Sequence, residues 1–448
     1  MVIVESSNQY KQLCNLINEQ NFILIPVFAN NRTHPAFNSI SILYFNFFNE
    51  EYIAPINHPD CINLENSWDL ISKILSSKMS KFVVDKRDFQ HYLKSKLDNT
   101  WKDIQLLDYI NNGELTIDFE EQTPAHQFLN RRFHRNLESN LIIPAIKHIE
   151  YLQDNGNKSL EIIQASDINS ETFNSMNTTM LNVLYNMESS GIQVNNGLRK
   201  KDFVYDNFAY YKYNPYTITN RPSCTYGGFN FIGMSKEDGS RKQFVSRFKD
   251  DGMMLLIDYD ACHFYLMADL VGEVFNEHPY DVLGKFYFNK QEPLTQEEHQ
   301  QSKQLSFNVI YGGIPDEFLI IPFYEKIRKF IFDLYKSFKS NGYFETKFFK
   351  RKMYSHKLKN IVPYTLFNYY MQTLETESHM IILNELFDLL KQYETKIVLY
   401  IYDSVLIDFK ISEGKELIDK IVSILQQNNK FPVSISWGTN YHELNKLS

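Results

Sequence analysis

Cysteine is scarce: 4 residues in 448, at Cys14, Cys61, Cys224 and Cys262. They are scattered, with neither the paired spacing of a zinc site nor the density of a disulfide scaffold, which fits a reducing cytoplasm. Long hydrophobic runs are missing, so no stretch reaches the length of a membrane span, and the opening Met1-Val2-Ile3-Val4-Glu5 is no signal peptide. The expected location is therefore cytoplasmic. Positive charge is in deficit, because 46 Lys and Arg stand against 54 Asp and Glu, a formal charge of -8. That argues against a protein that coats nucleic acid non-specifically, but leaves room for an enzyme with one local basic channel. Internal repeats are absent.

What is present is ordinary globular material, 43% hydrophobic and 22% charged, in a chain long enough for two or three domains with real cores. The 35 Phe and 29 Tyr are core material first and base-stacking platforms second. Phe22 to Phe28, Ser39 to Phe45 and Tyr52 to Ile56 predict three strands, and Trp68 to Lys78 a helix. Lys81 to Phe89 and Ile104 to Tyr109 continue a compact α/β domain over residues 1–122. From 123 to 215 the pattern turns helical. Phe173, Met176, Met180, Val183 and Met187 share one face, with Ser170 placed as N-cap and Gly191 just past the end. The apolar run Leu141 to Leu152 carries Pro144, which predicts a helix starting or kinked there. Arg199-Lys200-Lys201 is a short basic cluster, for solvation or for phosphate.

The remainder, 216–448, is organised around Met253 to Ile257, five apolar residues that predict a buried strand ending on Asp258. A carboxylate there either caps the next segment or pairs with a bound cation. A second acid, Asp403, falls at the turn of a hairpin predicted from Lys396 to Phe409. The helix from Gln296 to Tyr311 is the best delimited, with Thr295 and Glu298 as a capping box and Gly312-Gly313 as its stop. His299, Lys303, Phe307 and Tyr311 recur every four residues on one face. That face suits either a phosphate-bearing nucleotide or plain aromatic packing. Lys326 to Lys359 is strongly basic, a polyphosphate footprint or a solvated face. Along the helix predicted from Leu366 to Tyr393, Asn368, Gln372, Glu375 and His379 form a polar stripe. Asn and Gln against minor-groove edges would test pairing geometry more than sequence. A glycine-containing loop (Gly227, Gly228, Gly233, Gly239) leads into the Asp258 strand.

Taken in order, these motifs resemble the family A DNA polymerases, the group that includes bacterial polymerase I, over roughly Thr217 to the C-terminus. Thr219-Asn220-Arg221-Pro222-Ser223 looks like the family's Thr-Gly-Arg-Leu-Ser, and Arg241 to Phe244 like its Arg-x-x-Phe. Asp258-Tyr259 is similar to the start of motif A. Lys303, Phe307, Tyr311 and Gly312 keep the motif B spacing, and Tyr402-Asp403 stands where motif C has His-Asp. Gly342 to Thr346 followed by Arg351, Asn368 with Gln372, and Trp437 to Tyr441 are similar to further family segments. The departures are His263 for the motif A Glu, His299 for the first motif B Arg, Ser404 for the motif C Glu, and a short thumb. A divergent, compact member of the kind expected in a phage or plasmid is implied.

The resemblance implies an α+β right-hand fold of palm, fingers (about 270–345) and reduced thumb, preceded by an exonuclease-like (RNase H-like) α/β domain. It implies a template-directed DNA polymerase that uses primer–template DNA, dNTPs and two Mg²⁺ ions, for which Mn²⁺ can substitute. Asp258, Asp403 and the Tyr259 carbonyl would hold the metals. Lys303 would be catalytic and, with His299, would neutralise the phosphates. Phe307 would meet the sugar, Tyr311 would stack at the template–primer junction, and His263 would block a 2′-hydroxyl. Arg221, Arg241, Arg351, Asn368 and Gln372 would contact primer–template. The N-terminal domain lacks the Asp-x-Glu that opens an exonuclease carboxylate cluster, its first strand reading Pro26-Val27-Phe28-Ala29-Asn30, with Asp88 and Asp103 as candidate remnants. It is expected to be degenerate. An RNA polymerase or reverse transcriptase on the same plan, or an inactivated polymerase serving as a nucleic-acid-binding accessory protein, remain the alternatives.

Overall fold

The computed structural model describes residues 1–28, 33–58, 64–65, 67–116, 145–195, 203–224, 229–358, 360–427 and 430–446. Cys61, the border at residue 122, Leu141 to Pro144, Arg199-Lys200-Lys201, Gly227, Gly228 and Lys359 lie outside them. The chain divides into two compact units. One comprises Met1–Gly191, Leu198–Tyr216 and Cys224–Asn230; the other comprises Ile192–Gly197, Thr217–Ser223 and Phe231–Ser448.

The first unit is built on a six-stranded sheet. Its order is Val2–Ile3, Glu51–Pro55, Ile40–Asn46, Phe22–Phe28, Lys81–Val83, Trp101–Asp103. The strands Phe22–Phe28, Ile40–Asn46 and Glu51–Pro55 run as an antiparallel meander, and Lys81–Val83 and Trp101–Asp103 continue parallel to Phe22–Phe28. Pro26 falls past the short Lys81–Val83 neighbour, which pairs only Phe22 to Leu24, so its missing N–H costs no bond on that side. The run 81–89 divides at Asp85, whose carboxylate accepts the Asp88 N–H at 3.1 Å and starts the helix Lys86–Leu93. Asp103 does the same for Ile104–Asn112, accepting the Leu106 N–H at 2.7 Å, so the run 104–109 is helical. Leu13, Phe22, Leu24, Leu43, Phe45, Phe89 and Trp101 fill the core.

The methionine stripe is buried as its spacing requires, but over a helix that carries a π turn. Glu171–Ser175 passes into the π-helical Met176–Met180 and then Leu181–Ser190. The wider turn adds a residue to the register while Phe173, Met176, Met180, Val183 and Met187 all stay buried. Ser170 caps the start, accepting the Phe173 N–H at 3.2 Å.

The second unit has a five-stranded antiparallel sheet in the order Lys396–Ile401, Ser404–Lys410, Gly252–Tyr259, Val433–Gly438, Asn445–Lys446. Gly252–Tyr259 is central, and its Asp258 pairs with Ser404 on one side and Ser434 on the other. The long helix Pro363–Leu390 packs on Cys262–Val271, Gln296–Gly312 and Lys415–Gln426. Pro279–Tyr287 packs along Gln296–Gly312. The composite is α+β. Among the described residues, no helix is long and apolar enough to cross a membrane.

Candidate active site

Asp258 emerges where the central strand stops being covered. Its neighbour Tyr259 donates its N–H to the carbonyl of Asp403 at 2.9 Å, which fixes the hairpin turn beside the strand end. The turn is two residues, Tyr402 and Asp403, between the paired Ile401 and Ser404. Tyr402 sits at φ +57°, a strained conformation for a bulky side chain. Two contacts hold it there. The Arg221 guanidinium lies 4.2 Å from its ring centroid, and His379 Nδ1 donates to its carbonyl at 3.1 Å. Burial, then the charge of Asp403, push the Asp258 carboxyl above the usual range, and Lys236 and Lys303 oppose the shift. Two carboxylates that repel in this way, one half-buried and one exposed, form an all-oxygen donor set suited to a hard divalent cation.

Beneath this pair lies a polar network that the sequence pattern only hinted at. Glu375, on the long helix, is 2% exposed. Its Oε2 accepts Arg221 Nη2 at 2.5 Å, and its Oε1 lies 3.3 Å from His263 Nε2. Burial drives the carboxyl up, but His263, Arg221 and His379 together bring it down to about 2. The other nitrogen of His263, Nδ1, is bonded to the Tyr311 hydroxyl at the end of the Gln296–Gly312 helix. One turn on, His379 is buried, and burial lowers the pKa of its imidazole. Its Nδ1 bonds the Tyr402 carbonyl, its Nε2 lies 3.7 Å from Cys262 Sγ, and its ring stacks on Tyr259 at 4.4 Å. The expected polar stripe therefore divides. Asn368 and Gln372 are half-buried and bonded to each other at 3.1 Å, with Gln372 against Thr219 at 3.3 Å. Glu375 and His379 face the protein. A carboxylate between Leu374 and Met380 on a buried helix was the available signal.

The four-residue face of the Gln296–Gly312 helix is formed as the spacing requires. Lys303 is exposed over the Tyr280 ring, 5.8 Å from its centroid, and makes no ion pair among the described residues. It borders an open groove of about 580 Å³ with Phe307, Asn308 and Gln304. Phe307 stacks on Tyr311 at 6.1 Å. His299 Nδ1 is engaged by Asp281 at 2.7 Å, and His278 Nε2 by Asp260 at 3.2 Å, with the two imidazoles 4.9 Å apart. His278, Asp281 and His299 are close enough to share an ion. However, His278 Nδ1 already accepts the Tyr280 N–H at 3.3 Å as a helix cap, so Nε2 carries the proton and offers no lone pair. With Asp260, these residues are better described as two His–Asp pairs.

Of the remaining expected contact residues, Arg221 is half-buried while Arg241 and Arg351 are buried. Arg241 donates to the Met234 carbonyl at 2.7 Å and stacks on Tyr441, and Arg351 donates to the Ile218 carbonyl at 2.8 Å. Both anchor loops. The basic stretch is partly neutralised by pairs such as Lys326 with Glu273, Lys347 with Asp269 and Arg328 with Asp316.

This architecture is similar to that of a solved polymerase domain. The chain is similar to the POL domain of Pol1 from M. smegmatis, a structure in complex with DNA primer-template and dNTP. The TM-score is 0.72 over 98% of this chain and 99% of that one, at 14% identity. No family model matches the sequence, and no curated protein matches it.

Proposed function

We propose that the protein is a template-directed DNA polymerase that adds dNTPs to a primer 3′ end, a divergent relative of the family A enzymes. The observation that carries this reading is the Asp258–Asp403 pair, set at a strand end and an adjoining hairpin turn in a polymerase-domain fold. Asp258, Asp403 and the Tyr259 carbonyl would hold two Mg²⁺ ions. When bound, they supply charge neutralisation for the α-phosphate and a lowered pKa for the primer hydroxyl. Lys303, exposed in the groove and without an ion pair among the described residues, neutralises the triphosphate, with His299 beside it. Phe307 meets the sugar and Tyr311 the template–primer junction, while His263 stands against the 2′-hydroxyl. Asn368 and Gln372 reach the minor groove from the exposed end of their ladder.

The first unit is read as a degenerate exonuclease-like domain of RNase H-like strand order, without proofreading. Its two candidate remnants are spent on structure: Asp88 is ion-paired with Lys212, and Asp103 accepts both the Lys86 and Leu106 N–H groups. Burial and the charge of Asp85 push the Asp103 carboxyl up to about 7. The test of the whole reading is primer extension with dNTPs and rNTPs on DNA and RNA templates. Preferential dNTP addition on DNA is expected. Addition of rNTPs, or use of an RNA template, would indicate an RNA polymerase or a reverse transcriptase. Binding of primer–template with no addition would indicate an accessory protein.

A further inference from the structure

Resting on the polymerase reading, we infer that Glu375 is a positioning residue for sugar selection, acting through His263. Two segments distant in the chain meet at its carboxylate, and a third is joined to it through His263. Arg221 binds Oε2 at 2.5 Å, His263 Nε2 stands 3.3 Å from Oε1, and His263 in turn holds the Tyr311 hydroxyl. One ring nitrogen, Nδ1, is bonded to the Tyr311 hydroxyl, and the other, Nε2, faces the carboxylate at 3.3 Å as an electrostatic contact. Both ring nitrogens are then turned to these groups, so the ring offers only C–H edges to a neighbouring sugar. A deoxyribose loses nothing against such an edge. A ribose 2′-hydroxyl meets bulk and finds no partner, so it is desolvated without compensation.

That discrimination requires a ring that does not turn. A histidine on the first turn of the Cys262–Val271 helix has two free torsions, and the carboxylate restrains them together with the Tyr311 hydroxyl. Removing Glu375 takes away the charge that faces Nε2. The ring can then swing, presenting a nitrogen to the sugar or vacating the space. The same loss would leave the half-buried Arg221 guanidinium without its counter-ion, which accounts for a buried acid at this point of the helix.

The experiment is the ratio of kcat/KM for a matched dNTP and rNTP, in wild type, Glu375→Ala, Glu375→Gln, His263→Ala and the His263→Ala/Glu375→Ala double variant. Because the ratio is internal to each variant, a general loss of activity cancels. His263→Ala and Glu375→Ala are each expected to lower selectivity for dNTP about tenfold or more, and the double variant no further than either alone. Glu375→Gln keeps the volume and serves if the alanine variant does not fold. Its amide has one oxygen where the carboxylate presents one to Arg221 and another to His263, so one partner faces an NH2 group and a smaller drop in the same direction is expected. An unchanged ratio in a folded Glu375 variant, or a double variant whose losses multiply, would overturn the inference while leaving the polymerase reading intact. A wild type that adds no nucleotide would overturn both.

Discussion

At the scale of single residues, the candidate site separates groups that touch substrate from groups that hold them. On the proposed reading, Asp258 and Asp403 belong to the first kind. Replacing either by Ala is expected to abolish nucleotide addition, through the loss of charge stabilisation worth several kcal/mol, while primer–template binding measured by fluorescence anisotropy stays largely intact. Near-normal extension by either variant would sink the assignment. Glu375 belongs to the second kind, and it makes a separate prediction about pH. Its carboxyl is held near 2 in the folded chain against an ordinary 4.5, so the unfolded state binds the proton more readily. The stabilisation from the charged form is fully present above about pH 4.5 and is lost as the pH falls towards 2. Urea unfolding should therefore show the gap between wild type and Glu375→Gln, on the order of 3 kcal/mol at neutral pH, closing through that window. A gap that does not change with pH would mean that the network carries no net charge linkage.

Elements explain how those residues are delivered. The Gln296–Gly312 helix is capped at one end by Thr295 and Glu298, whose side chains satisfy each other's backbone N–H groups, and ends against Gly313. Its face of His299, Lys303, Phe307 and Tyr311 follows from helical geometry alone. Thr295→Ala is expected to cost about 1 kcal/mol of stability by leaving first-turn donors unsatisfied. KM for dNTP should change little, because Lys303 lies two turns further on. A thermal melt and a dNTP titration together check this; a large rise in KM with no loss of stability would place the cap itself in the site. The hairpin works differently. Its turn carries Tyr402 at positive φ, and the contacts of Arg221 and His379 maintain that conformation, so the position of Asp403 depends on residues far from the hairpin.

For the whole molecule, the two units differ in what their acids do. In the second, Asp258 and Asp403 repel each other at a strand end and an adjoining turn. In the first, the acids are consumed inside: Glu188 binds Arg87 at 2.5 Å and His91 at 2.9 Å, and Lys212 takes Asp85 and Asp88. The protein is accordingly expected not to trim a mismatched primer 3′ end. Incubating a 3′-mismatched duplex with Mg²⁺ and the Asp258→Ala variant checks this, since trimming that persists in the variant would have to come from the first unit.

The sequence by itself determined what is local. Apolar runs located the Phe22–Phe28 and Gly252–Tyr259 strands, and four-residue spacing located the helix of Lys303. Capping residues delimited Glu171–Ser190 and Gln296–Gly312, because periodicity and end chemistry act between residues a few positions apart. Ile104–Asn112 was less legible, since a short stretch with four apolar positions in six is compatible with strand or helix until Asp103 is seen capping it. Even the stripe Asn368, Gln372, Glu375, His379 was visible as a stripe. Which of its members face outward was decided only by tertiary structure. Arg221, His263, Tyr311 and Glu375 lie on four segments with no sequence relation to one another, and only packing brings a guanidinium, an imidazole and a phenol around one carboxylate. The energy that selects this arrangement is the cost of burying that charge unpaired, and a cost of that kind exists only once the chain has folded around it.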